Sequence, residues 1–115
     1  MRQVLYGFGI MLVGISAASA LELEGDAFKL ARDSGTVIGA ATACGLASDR
    51  AAVVWQRIRV AGTTGPGAAS ERDFAVVHAE AVRTAGVQQQ RAGRKGCDRA
   101  IAAFKQLEDT ATLNR

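Results

Sequence analysis

The stretch CDRAIAAFKQLE, residues 97–108, holds the two features that decide the fold. Its apolar side chains recur at intervals of three and four residues, which is the spacing of one face of an α-helix. Charged side chains, among them Arg99 and Lys105, occupy the other positions. The apolar face consists of Cys97, Ala100, Ile101, Phe104 and Leu107. The stretch therefore predicts an amphipathic helix that presents a cysteine to the core.

The chain has one other cysteine, Cys44, which falls on the apolar face of an earlier helical stretch. Two cysteines and a single histidine, His78, are too few for a closed zinc site, and neither cysteine belongs to a C-x-x-C pair. We therefore predict a structural disulfide between Cys44 and Cys97. A crosslink that closes a loop of this length stabilises a chain by about 4 kcal/mol in the loop-entropy model.

Three further stretches show helical spacing, and no stretch alternates apolar and polar residues as a strand would. The first covers about residues 26–47, with Ser34 and Gly35 as a predicted break or kink. The second follows Ser48, a predicted N-cap, and closes at Gly62. The third begins after Ser70, whose spacing to Asp73 predicts a capping box, and Gly86 is expected to weaken it. The sequence thus predicts an all-α bundle of about four helices, stapled by one disulfide.

The opening residues have the three regions of a cleavable signal peptide. Arg2 precedes an uncharged apolar run, and small residues lead to Ala20. The apolar run is shorter than the roughly 20 residues that a membrane-spanning helix needs. We predict a signal peptide over 1–20, a single all-α domain over 21–115, no transmembrane helix after processing, and a periplasmic or secreted location. An oxidising compartment agrees with the predicted disulfide.

The chain has 14 basic and 11 acidic side chains, a balance too mild to indicate nucleic-acid binding. The charges are nevertheless uneven, because one basic cluster lies near the end of the chain. Such clusters commonly contact anionic surfaces, although a solvated helix face would show the same pattern. The cluster consists of Arg91, Arg94, Lys95 and Arg99. We interpret it as a site for an envelope protein or an anionic envelope surface.

An acidic group would open the chain after cleavage at Ala20. Glu22, Glu24 and Asp26 stand at alternate positions beside Gly25. Carboxylates are the ligands that Ca²⁺ and lanthanide-like ions prefer, but such ions need six or more oxygens. Further oxygen donors would therefore have to complete the coordination shell. The alternative to a metal site is an acidic leader whose charge complements the N-terminus of a helix. No cofactor is predicted apart from this hard cation.

Two other features have structural and functional interpretations. Gly35, Gly39 and Ala43 recur every four residues, which permits close approach of another helix, either within the chain or across a homodimer. His78 has apolar neighbours at helical spacing and no nucleophile beside it. Since no catalytic triad or nucleotide loop can be assembled, we predict that the protein is not an enzyme.

In outline, an exported, all-helical chain of under 100 residues with two cysteines resembles small periplasmic proteins, including acid-stress chaperones. The resemblance is architectural and implies no residue roles. Three functions follow as hypotheses. The first is a non-enzymatic protein that binds a partner or an anionic surface, through the basic cluster and exposed parts of the Trp55 helix. The second is a hard-metal binder, and the third is an acid-stress chaperone that loosens its core when carboxylates or His78 change charge.

Overall fold

The computed structural model describes residues 15–113 of the chain, and the side chains of residues 26–112. This part of the chain contains four α-helices and no strand. They are α1 (Ile15–Ala43), α2 (Ser48–Thr63), α3 (Glu71–Ala92) and α4 (Cys97–Leu113). The predicted all-α architecture of about four helices is confirmed. No described helix has the length and apolarity that crossing a membrane requires.

The predicted boundary between signal peptide and domain, at Ala20, falls inside the first turns of α1. Residues 1–14 lie outside the described part of the chain, as do the side chains of 15–25. Cleavage of a signal peptide therefore stays a prediction. The packing of α1 against the other helices is described from Ala27, which is buried, onward.

Helix α1 packs most extensively against α3, and two glycines of α1 make this contact close. A Cβ atom at Gly35 would lie 2.6 Å from the carbonyl oxygen of His78, and one at Gly39 would overlap the backbone of Val82. Neither position can hold a larger residue without separating the helices. Gly35 and Gly39 thus serve packing within the chain, whereas Ala43, the third small residue of the pattern, is exposed.

The predicted break at Ser34 and Gly35 is wrong, because α1 continues without interruption to Ala43. The hydroxyl group of Ser34 is buried and donates a hydrogen bond to the carbonyl oxygen of Ala31 at 3.3 Å. A glycine costs a helix at most about 1 kcal/mol relative to alanine. The close contact with α3 offsets this cost.

The core draws side chains from all four helices. Phe74 of α3 and Phe104 of α4 are fully buried, and Val54 of α2 is nearly so. Burying each such side chain contributes about 1.5–3 kcal/mol. Gly62 lies beneath the Phe74 ring, which occupies the space that a Cβ atom there would take. Gly62, which was predicted to close α2, is buried and lies one residue before the end of the helix at Thr63.

The remaining helix ends agree with the sequence in part. The Ser70 hydroxyl accepts a hydrogen bond from the backbone N–H of Asp73 at 3.1 Å, which confirms that cap. The prediction that Ser48 caps α2 is wrong by one residue, since Ala47 holds the cap position without a side-chain hydrogen bond. Helix α3 passes through Gly86, which was expected to weaken it, and ends at Ala92.

Cys44 and Cys97 form the predicted disulfide, with their Cα atoms 5.5 Å apart. The bridge joins residues separated by 53 positions and ties the carboxyl end of α1 to the amino end of α4. The turn between α3 and α4, which precedes Cys97 directly, is therefore anchored at one end of the bundle.

Candidate functional site

The turn between α3 and α4 carries the basic cluster predicted from the sequence. We call residues 91–99 the basic turn. Gly93 and Gly96 have positive φ angles of 68° and 83°, which reverse the chain sharply between the two helices. The side-chain amide of Gln89 donates hydrogen bonds to the carbonyl oxygens of Gly93 at 3.1 Å and Lys95 at 2.9 Å. With Cys97 in the disulfide, both ends of the turn are held in place.

All four basic side chains of the cluster are exposed on this turn: Arg91, Arg94, Lys95 and Arg99. None forms a salt bridge with another described residue. Elsewhere in the described chain, four cations form salt bridges: Lys29, Arg50, Arg59 and Arg83. Four others do not: Arg32, Arg57, Arg72 and Lys105. Asp98 is the single acidic residue of the basic turn, which leaves it with a formal charge of +3.

The acidic group predicted as a metal site lies mostly outside the described side chains. Asp26 is exposed, whereas nothing is described of the side chains of Glu22 and Glu24. All three positions belong to α1. Among the described residues, no cluster of three or more His, Cys, Asp or Glu side chains suits a metal ion. The metal hypothesis stays a prediction.

His78, which the sequence placed in an apolar setting, is buried with only 7% of its surface exposed. Its imidazole ring stacks on the indole ring of Trp55, with 3.9 Å between the ring centroids. Its Nε2 atom is buried and has no hydrogen-bond partner among the described residues. Burial disfavours the charged ring and lowers the pKa of His78 to about 4. The imidazole is therefore neutral at neutral pH.

Spacing along the sequence could not reveal the stack between His78 and Trp55, because the two rings come from different helices. Trp55 also stacks on Phe74, with ring centroids 5.8 Å apart. The three aromatic rings form one layer between α2 and α3. A proton on His78 would place a charge inside this layer, where no described carboxylate forms a salt bridge with the ring.

A groove between α2 and α4 is the third notable region, and sequence reasoning missed it. Its volume is about 520 Å³, within the range of small-molecule sites. Apolar side chains from three helices form most of its walls, and Arg57 lies at its edge. Val60, which is 51% exposed, extends the apolar surface along α2.

In comparisons with known proteins, the chain matches no family model, no curated protein and no solved structure. The interpretation of these regions rests on their own chemistry.

Proposed function

We propose that the protein is a non-enzymatic helical binding protein of the cell envelope, periplasmic or secreted, that attaches to anionic surfaces through the basic turn. The observation that supports this proposal best is that four exposed cations lie within nine residues of one anchored turn and form no salt bridge with a described residue. Other exposed cations without such a salt bridge, among them Arg32, Arg72 and Lys105, are spread over three helices.

The physical basis is electrostatic attraction of several cations held close together. A lysine or arginine near an anionic lipid surface contributes about 1 kcal/mol to binding, and the contribution weakens as salt screens it. Four such residues on one anchored turn can contact the surface at the same time. The disulfide at Cys97 and the hydrogen bonds from Gln89 already hold the turn in place, so binding costs less conformational entropy.

Vesicle co-sedimentation tests this proposal. The protein is mixed with phosphatidylglycerol-containing vesicles or with purely zwitterionic vesicles, at low salt and at about 0.15 M salt. We expect binding to the anionic vesicles alone, and weaker binding as salt rises. Replacing the four cations of the basic turn by Gln should lower the affinity by up to about 1,000-fold, since each contributes about 1 kcal/mol.

The chain offers a matched control with the same change in composition and net charge. Three arginines and one lysine that are exposed elsewhere are replaced by Gln: Arg32, Arg72, Arg83 and Lys105. This variant should retain most of the binding. Equal loss in both variants would mean that net charge alone acts. Binding to an envelope protein and to no vesicle would mean that the basic turn binds a protein partner and not an anionic surface.

A second candidate function, an acid-stress chaperone, is supported by the environment of His78. A neutral imidazole that is buried against Trp55 opposes protonation, so acid must either leave it neutral or loosen the aromatic layer. Loosening would expose apolar core surface to unfolded client proteins.

This second function is tested by client aggregation at neutral pH and near pH 4, the pKa of His78. A chaperone of this type suppresses aggregation in acid and not at neutral pH. A His78→Phe variant should suppress less, because its aromatic layer cannot take up a proton. Equal suppression at both pH values, or in both proteins, would exclude His78 as the trigger.

A further inference from the structure

The groove between α2 and α4 joins a second depression beside the turn that follows α2. The two share Leu30, Ala61 and Thr64 in their walls, and the second reaches Pro66. Together they follow α2 from Arg57 and continue past its last residue, Thr63, to Pro66. The two depressions thus lie in succession along the chain, which suits a chain-like ligand.

Most of the walls of the groove are apolar, and they come from separate helices. Leu30 belongs to α1, Ile58 and Ala61 to α2, and Leu107 and Ala111 to α4. Aliphatic side chains of this kind contact a hydrocarbon chain without leaving polar groups unpaired. A polar ligand would gain few hydrogen bonds from them.

The two ends of the groove differ in charge. Arg57 stands at one end, half-buried, and its guanidinium donates a hydrogen bond to the hydroxyl of Thr112 at 2.8 Å. No other described residue accepts a hydrogen bond from this guanidinium, so its remaining N–H groups can bind an anion. Asp26 lies at the other end, beside Pro66, where its carboxylate would repel one.

Glu108 is a carboxylate whose charge interacts with that of Arg57, but it is paired with another arginine. It accepts two hydrogen bonds from Arg50, each 2.8 Å long, from the Nε and Nη2 atoms. These hydrogen bonds are the largest cause that keeps the pKa of Glu108 below its usual value, and the charge of Arg57 adds a smaller effect. Since Arg57 forms neither a salt bridge nor a hydrogen bond with this carboxylate, its guanidinium is available to a ligand in the groove.

We propose that this groove binds a single-chain amphiphilic anion, a free fatty acid, with its carboxylate on Arg57 and its hydrocarbon chain along Leu30, Ala61 and Leu107. A helix from a partner protein would need a longer and wider trough than this volume provides. The site is separate from the basic turn, so either can fail without the other.

Displacement of the fluorescent fatty acid cis-parinaric acid tests the site directly. The competitors are dodecanoate and dodecyltrimethylammonium, which have tails of equal length and heads of opposite charge, both below their micelle-forming concentrations. We expect dodecanoate to displace the probe at about tenfold lower concentration, which is typical of a charge-assisted hydrogen bond. The Arg57→Gln variant should lose this preference. Displacement should also weaken, by up to about fourfold per methylene, as the acid is shortened.

A matched pair of variants distinguishes binding in the groove from nonspecific hydrophobic binding elsewhere on the protein. Ala61→Phe fills the groove from an exposed position, and Ala52→Phe adds the same ring to an exposed position on the opposite side of α2. Only Ala61→Phe should weaken binding, by at least about tenfold. The proposal is wrong if dodecanoate fails to displace the probe, or if dodecanoate and dodecyltrimethylammonium displace it equally well. It is also wrong if the two Phe variants have the same affinity for dodecanoate. Should Ala61→Phe not fold, the Arg57→Gln result decides.

Discussion

Stability of the protein between neutral pH and pH 4 should depend on His78 more than on any other described residue. The ring has an ordinary pKa of 6.5 in the unfolded chain and about 4 when buried against Trp55. The unfolded chain therefore takes up the proton first as the pH falls. The stability that the neutral ring contributes is complete above pH 6.5 and is lost progressively down to about pH 4. At 1.36 kcal/mol for each pKa unit, the loss is about 3 kcal/mol.

The perturbation that isolates this effect is His78→Phe. Phenylalanine retains an aromatic ring against Trp55 and cannot be protonated, and it also removes the unpartnered Nε2 atom. Carboxylates whose pKa is lowered by folding, such as Glu108 beside Arg50, also reduce stability in acid. Their contribution is the same in both proteins, so it cancels in the comparison.

Urea unfolding, followed by far-UV circular dichroism, gives the free energy of unfolding at a series of pH values for each protein. Between neutral pH and pH 4, wild type should lose about 3 kcal/mol more than His78→Phe. Parallel curves would refute the reasoning, since they would mean that the ring takes up its proton without cost. An NMR titration of His78 with a midpoint near 6.5 would refute it independently.

Two further perturbations test the packing. Reducing the Cys44–Cys97 disulfide should lower the free energy of unfolding by about 4 kcal/mol, because the disulfide closes a loop of 53 residues in the unfolded chain. Urea unfolding with and without reductant measures this loss. An unchanged urea midpoint would contradict the prediction. Gly39→Ala should destabilise by about 1–3 kcal/mol, because its Cβ would overlap the backbone of Val82. Gly86→Ala is the control, with 3.7 Å to the nearest atom, and should stabilise by up to about 1 kcal/mol. Thermal melting of the Gly39→Ala and Gly86→Ala variants measures both effects. Equal shifts in melting temperature would show that helix propensity outweighs the contact between Gly39 and Val82.

Close packing of glycine explains the wrong prediction of a break in α1. Gly35 was predicted to interrupt α1, which continues to Ala43, and Gly62, which was predicted to close α2, lies one residue before its end. At Gly35 and Gly62, backbone or a ring from α3 occupies the space that a side chain would take. A glycine selected for close packing and a glycine that ends a helix look the same along the chain.

The candidate sites divide in the same way. The basic turn could be predicted because its four cations lie within nine residues, and exposure of a turn between helices follows from local pattern. The stack of His78 on Trp55 and the groove at Arg57 could not be predicted, because their parts come from helices that are distant in sequence.

The sequence by itself determined the all-α class, the number of helices, the cap at Ser70 and the pairing of Cys44 with Cys97. These features depend on local spacing, or on there being only two cysteines to join. Only the tertiary structure decided that α1 lies directly on α3, that the Nε2 atom of His78 is buried without a hydrogen-bond partner among the described residues, and that a groove opens beside Arg57. Such features depend on the angle and distance at which whole helices meet. The apolar spacing within a helix shows which of its faces is buried, but it sets neither that angle nor that distance.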